Sequence, residues 1–214
     1  MGNIPESPKI YHIVHYDRLE SIARHKKLFS DELVCREMLN NGSIIGMPKI
    51  KERRMGIRLE SHPDLCVGQC VPFYFCPRSV MLYVISRGNH SGLSYRDGQE
   101  PIIHLKADFF ETIKWAENNN QRWAFTSSNA GSFYFEDFAE VERLRELDWT
   151  AINSNHWVNQ KEGKQAEFLI EKFFPWELVE EIGVCSRKIY DKVVDILKSS
   201  YHRPTVLIKS DWYY

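Results

Sequence analysis

The chain has 214 residues, 43% of them hydrophobic and 27% charged, a composition that excludes a disordered or fibrous protein and leaves enough chain for one domain with a sizeable core. A formal net charge of −1 excludes a uniformly basic nucleic-acid coat, so contact with nucleic acid has to come from a local patch. The N-terminal residues lack the basic and apolar regions of a signal peptide, no apolar run is long enough to span a bilayer, and five cysteines without a framework spacing suit a reducing compartment; a cytoplasmic protein with no membrane partner is expected.

In chain order, residues 10–14 read as a strand and Asp17 as the cap of a helix to about residue 26, with Leu19, Ile22 and Ala23 on one face. From residue 30 to 65 the pattern weakens, punctuated by Asn40, Asn41, Gly42, Gly46, Pro48 and Gly56. An irregular stretch of that length in a compact domain reads as a lid or a binding loop. His62, Cys66 and Cys70 recur every four residues, the spacing of ligands on one helix face, but Pro63 and Gly68 interrupt any helix there and no fourth ligand is evident. No metal site is expected.

Residues 71–75 and 80–86 read as strands, as do 101–105 and 122–126; Asp108 opens a helix to about residue 118. Residues 127–132 are a loop by composition, 138–145 read as helical, and 148–163 as a second irregular stretch. A turn or short helix at Trp176, a strand over 182–185, a helix capped by Ser186 and a last strand over 205–208 complete the chain. Strands and helices mix without the regular rhythm of a parallel sheet, which favours an α+β fold.

The strand after the second irregular stretch carries the most informative residue. With period two, Ala166, Phe168 and Ile170 share one face, and Gln165, Glu167 and Leu169 the other. A carboxylate within a strand either faces solvent at an edge, the usual fate of a lone Glu, or needs a partner in the protein or in a ligand.

Four segments then line up: Tyr11-His12-Ile13-Val14-His15, Lys51-Glu52-Arg53-Arg54, the run from Val71 through Pro77-Arg78-Ser79 to Tyr83, and Lys164-Gln165-Ala166-Glu167-Phe168-Leu169. Together with Pro101-Ile102-Ile103-His104-Leu105, Asp148-Trp149 and Phe173-Phe174-Pro175-Trp176, this ordered set resembles the DarT family of bacterial toxins, ADP-ribosyltransferases acting on DNA. The resemblance covers essentially the whole chain. It departs at Val80, where the family places proline, a difference of turn geometry.

The resemblance implies an ADP-ribosyltransferase-like fold with central split and twisted sheets flanked by helices, an NAD-binding element over about residues 33–55, and an ADP-ribosylating turn-turn loop over about 127–167. It implies NAD as ADP-ribose donor, single-stranded DNA as acceptor with thymine favoured over guanine, and a macrodomain antitoxin of the DarG kind as partner. Glu167 matches the catalytic glutamate; a fixed carboxylate beside the ribose would stabilise the positive charge that appears as the bond to nicotinamide breaks. His12, with the backbone of Ile13 and Val14, matches the NAD-binding histidine, although a lone histidine in a strand is more often a core residue. Arg53 matches an arginine that contacts NAD and assists the acceptor base. An arginine is too poor a proton acceptor to be a literal base, so orientation and charge stabilisation suit it better. In the run Lys49, Lys51, Arg53, Arg54 and Arg58 most cations should be solvated surface, with Arg54 a phosphate contact or, one register along, the residue that takes Arg53's part.

His156 and Trp157 are candidates for contact with DNA bases, whereas Trp149 reads better as a core anchor. One of Tyr74, Phe75 and Tyr83 is expected against nicotinamide; the residues leave open which. Two other functions remain on the sequence alone: a nucleic-acid-binding module without catalysis, and an NAD-dependent enzyme that modifies RNA.

Overall fold

The computed structural model describes residues 3–37 and 42–214, so the Asn40-Asn41 part of the first irregular stretch lies outside the described residues. The elements run β1 (Lys9–His15), α1 (Leu19–His25), β2 (Lys27–Phe29), α2 (Asp31–Arg36), α3 (Pro48–Arg54), β3 (Cys70–Tyr74), α4 (Val80–Arg87), β4 (Ile102–Asp108) and α5 (Phe109–Asn118). Then come β5 (Trp123–Thr126), β6 (Asp137–Phe138), α6 (Trp149–Asn153), α7 (Lys161–Lys164), β7 (Glu167–Glu171), β8 (Phe173–Pro175), β9 (Glu181–Val184), α8 (Arg187–Leu197) and β10 (Thr205–Ile208). Eight strands form one sheet in the order β10-β9-β4-β1-β3-β7-β5-β6, and β2 pairs with β8 in a second.

The centre of the large sheet is split. β1 is in register with β4 along its whole length, from Lys9 opposite Asp108 to His15 opposite Ile102, and β3 with β7 from Cys70 opposite Glu171 to Tyr74 opposite Glu167. Between β1 and β3 there is one rung, Tyr11 opposite Tyr74. Past it the two strands part, leaving β1 without a ladder partner on that side.

Period two decides the two faces as read from the sequence. Ile10 and Val14 of β1, Val71 and Phe73 of β3, Ala166 just before β7, and Phe168 and Ile170 of β7 fill the main core, which α1, α5 and α8 cover. Tyr11, Ile13 and Tyr74 face a second cluster with Leu82 and Ile85 of α4 and Trp212 and Tyr213 near the C-terminus. Gly183 is required there, because a Cβ would lie 2.4 Å from the Trp212 ring.

The α+β, split-sheet architecture is borne out, with local corrections. Residues 80–86, read as a strand, form α4: Ser79 caps it by accepting from the Leu82 amide (3.2 Å), and the apolar run that looked like a buried strand is a short buried helix. Asp17 is not the helix cap. His15 caps that turn, and Asp17 accepts from the amide and hydroxyl of Ser43 instead. Residues 138–145 are the end of β6 and a 3₁₀ turn over Val141–Glu146, while the stretch 148–163 contains α6 and most of α7. The β2 and β8 pair was too short for a periodic signal.

Buried His104 ties β4 to the loop before α4. Its Nε2 donates to the Pro77 carbonyl (2.9 Å), Nδ1 faces the Tyr213 hydroxyl (3.3 Å), and burial lowers its pKa to about 4, against which the Pro77 bond works. Between that value and the ordinary 6.5 the unfolded chain binds more protons, so stability is full above pH 6.5 and falls as pH drops toward 4. For His104 alone the loss approaches about 3 kcal/mol by the lower end. Denaturant unfolding followed across that range should show this slope, and His104→Gln should reduce it, leaving the share of His12, whose pKa burial lowers likewise, while lowering stability at neutral pH.

Candidate active site

Glu167 opens β7 on the face away from the main core. Its amide donates to the Thr126 hydroxyl of β5 (3.2 Å), which itself donates to the Ser128 carbonyl (2.6 Å), so the start of the strand and the following loop are fixed together. The carboxylate is 3% exposed. A group so buried needs hydrogen bonds to each oxygen. Arg54, in the last turn of α3, supplies a two-pronged contact, Nη1 to Oε1 at 3.2 Å and Nη2 to Oε2 at 2.7 Å, and the Ala130 amide adds a third bond to Oε1 at 3.2 Å. Burial works against the charge of Arg54, but the facing carboxylate outweighs it and raises the pKa further above the usual arginine range. Tyr74, the register partner of Glu167, has its phenol pKa raised by burial and then by the carboxylate's charge.

The split between β1 and β3 opens beside this pair into a cavity of about 150 Å³ that continues to the surface, lined among others by His12, Ile13, Val14, Asp31, Ile50, Arg54 and Tyr74. His12 spans the split, its Nδ1 2.7 Å from the Pro72 carbonyl of β3. A carbonyl only accepts, so Nδ1 carries the proton and Nε2 is a free acceptor. Burial lowers the His12 pKa to about 4, with the Pro72 contact opposing, so the ring is neutral at ordinary pH. Residues 43–46, ahead of α3, line the cavity on one side. Asp17 ties them down through Ser43, and Gly42 (φ +119°) is needed there because a Cβ would lie 2.6 Å from the Asp17 carboxylate. Lys51 pairs with Asp31, and both line the cavity as well.

The structure brings Glu167, Arg54, His12, Ile13 and Val14 together, and Tyr74 is the aromatic residue of the three candidates that lines the cavity. Arg53 is placed differently. It is exposed and lies over the Phe133 ring, 5.2 Å from guanidinium carbon to ring centre, on the loop that Ala130 anchors to Glu167. A helix turns about 100° per residue, so of two neighbouring arginines one faces the sheet. His156 is exposed and Trp157 half-buried, its indole donating to the Tyr214 hydroxyl (3.0 Å). Trp149 is a core residue bonded to the Leu144 carbonyl. Sequence reasoning missed Ala130, Thr126 and Pro72 as site residues, because they act through backbone or a single hydroxyl. Among the described residues no group of three or more His, Cys, Asp or Glu side chains could hold a metal ion, and no helix is long and apolar enough to cross a membrane.

The family model described as ssDNA thymidine ADP-ribosyltransferase, DarT, matches residues 11–214. The chain belongs to the DarT family. It is 38% identical over 215 aligned positions to a DNA ADP-ribosyl transferase of Thermus sp. (strain 2.9), covering 98% of each chain. A solved structure of Thermus sp. 2.9 DarT in complex with ADP-ribosylated ssDNA superposes with a TM-score of 0.89 at 37% identity, over 100% of this chain and 99% of that one. The same protein in complex with NAD+ gives 0.83 at 35%, over 99% and 100%.

The two arginines should separate in stability. Arg54→Ala strands a buried carboxylate and should cost about 3 kcal/mol or more, whereas Arg53→Ala, at the surface, should stay within about 0.5 kcal/mol of the parent. Chemical denaturation of both variants at neutral pH measures the contrast.

Proposed function

We propose that this protein transfers the ADP-ribose of NAD to a base of single-stranded DNA, thymine in the first instance, with release of nicotinamide. The observation that carries the reading is the buried Glu167 carboxylate, held by the Ala130 amide and by Arg54, which lines the cavity at the β1/β3 split, in a chain of the DarT family.

The cavity suits part of a dinucleotide, the rest lying in its opening to the surface. Its apolar walls accept flat rings, Arg18 among its cations favours a phosphate, Lys51 and Arg54 being paired with Asp31 and Glu167, and the free His12 Nε2 together with the unladdered backbone of His12–Val14 offers partners for a ribose diol. Residues 33–55 form the NAD-binding element on this reading, and 127–167 the loop that presents the acceptor. Glu167 keeps a lone pair on Oε2 for a ribose hydroxyl, and its fixed charge stabilises the positive charge that grows on the sugar as the nicotinamide bond breaks. Arg54 fixes the carboxylate's orientation, and Arg53, at the mouth beside Phe133, meets the incoming base. A ring nitrogen of the base bonds to the anomeric carbon and gives up its proton; in a duplex that nitrogen is paired and stacked, which is why single strands serve. The protein works in the cytoplasm, and a macrodomain antitoxin that removes the mark is the matching partner.

Incubation with labelled NAD and oligonucleotides of DNA or RNA, with and without thymine, tests the reading: label should pass to thymine-containing single-stranded DNA alone. Transfer to RNA, or none, would overturn it. Glu167→Gln should lower transfer by at least a thousandfold while NAD affinity changes less than about threefold, since the carboxylate acts chiefly in the transition state. Arg54→Lys, which keeps the charge but loses the planar fork, should fall steeply too, and Arg53→Lys should mainly raise the KM for DNA.

His12→Ala removes a ground-state contact, so NAD affinity measured by calorimetry should weaken about tenfold. Unchanged affinity would return His12 to a structural role across the split.

A further inference from the structure

The chain from Ser43 to Arg54 is attached to the rest of the fold by a carboxylate at each end. At one end Arg54 meets Glu167; at the other Ser43 meets Asp17, just past the end of β1. Glu167 lies opposite Tyr74 and Tyr74 opposite Tyr11, so the Asp17 attachment is roughly 13 Å or more along β1 from the rung that ends at the carboxylate of the site. Between the two attachments Ile44, Ile45, Gly46, Ile50 and Lys51 line the cavity proposed for NAD.

The attachment at Asp17 is polar. Ser43 donates to both carboxylate oxygens, its amide to Oδ1 at 3.1 Å and to Oδ2 at 3.0 Å, and its hydroxyl to Oδ2 at 2.8 Å. Burial works against the Asp17 charge, but the bonds from Ser43 outweigh it and hold the carboxyl below the usual range. The Asp17 amide donates to His15 Nδ1 (3.3 Å), which sets the turn that aims the carboxylate. Apolar burial adds little in this segment: Ile44 is 41% exposed and Ile45 half-buried, and Met47 is the first core residue after them. Among the described residues, the hydrogen bonds that residues 43–46 make to other segments are those to Asp17. Gly42 fits tightly against the same turn, since a Cβ would lie 2.6 Å from the Asp17 carboxylate and 2.7 Å from Cγ of Arg18, which itself lines the cavity. Asp17 does not line the cavity, so it acts on any ligand there through its neighbours.

We propose that Asp17 is a positioning residue for the donor: by holding Ser43 it keeps residues 43–46 and Arg18 in place along the cavity before NAD arrives, and so sets donor affinity without taking part in the step at Glu167. The inference rests on the reading of that cavity as the NAD site. A segment released from Asp17 has to be ordered again as the dinucleotide binds, and that entropy is subtracted from the binding free energy. Once NAD saturates the protein the same complex forms, so the loss appears in KM and not in kcat.

The test varies NAD at saturating single-stranded oligonucleotide and measures NAD affinity by calorimetry in parallel. Asp17→Ala should raise the KM for NAD about tenfold, weaken calorimetric affinity by the same factor and leave kcat within about twofold. Asp17→Asn keeps one acceptor oxygen and should recover part of the loss, with a rise of about threefold. Ser43→Ala should also raise KM about threefold, and should add nothing to Asp17→Ala, because the partner of its hydroxyl is already gone. Gly42→Ala, which strains the segment without altering residues 15–18, should resemble Asp17→Ala. A folded Asp17→Ala variant with parent-like KM for NAD would overturn the proposal. So would a fall in kcat at unchanged KM, or full additivity of Asp17→Ala and Ser43→Ala. If the parent protein binds NAD but transfers nothing to DNA, the reading of the acceptor fails and the calorimetric comparison still decides the role of Asp17. If the parent binds no NAD, the functional reading fails and this proposal with it.

Discussion

The ion pair between Glu167 and Arg54 joins the two halves on which the site depends: the sheet that holds the carboxylate, and α3, which lines the cavity beside it. Taking both charges out of water is expensive, and their attraction at best repays the cost, so apolar residues could fill the same space with as much stability. The pair is better understood through what it holds ready. Two parallel bonds from a planar guanidinium, with a third from a backbone amide, leave the carboxylate little rotational freedom. Arg54 also sits in the last turn of α3, where the partial negative charge of the helix end favours a cation.

The split sheet supplies the space next to that pair. Had β1 and β3 continued their ladder beyond Tyr11 and Tyr74, backbone groups would have satisfied one another and no cleft would exist. Divergence after one rung leaves part of β1 free, and His12 bridges the gap by a side chain, which fixes the tautomer and leaves one ring nitrogen facing the cavity. The same rung separates this cavity, which Tyr74 lines, from a second one, which Tyr11 lines.

Carboxylates elsewhere serve as anchors for irregular chain. Asp17 holds Ser43, and Asp137 accepts from the amides of Glu60 and Ser61, so loops on both flanks of the site are tied to the sheet through acidic side chains on loop amides. At the far end, Glu171 pairs with Arg122 and has its pKa depressed to about 2, chiefly by that hydrogen bond. None of these carboxylates belongs to a metal-binding cluster among the described residues.

Much of this was legible in the sequence because strand faces follow a two-residue period: the alternation around Glu167 placed its neighbours in the main core and its carboxylate on the opposite face. The ordered motifs likewise brought His12, the arginine pair and Glu167 into one hypothesis before any coordinates. Other features depended on tertiary contact. Whether 80–86 became strand or helix turned on Ser79 capping a buried turn, because a short apolar run satisfies both periods. Which of two adjacent arginines meets Glu167 depended on the rotation of α3 about its axis, which the helix's packing decides and its composition does not. Ala130 and Pro72 contribute only backbone groups, and every residue carries those, so chain geometry alone could single them out.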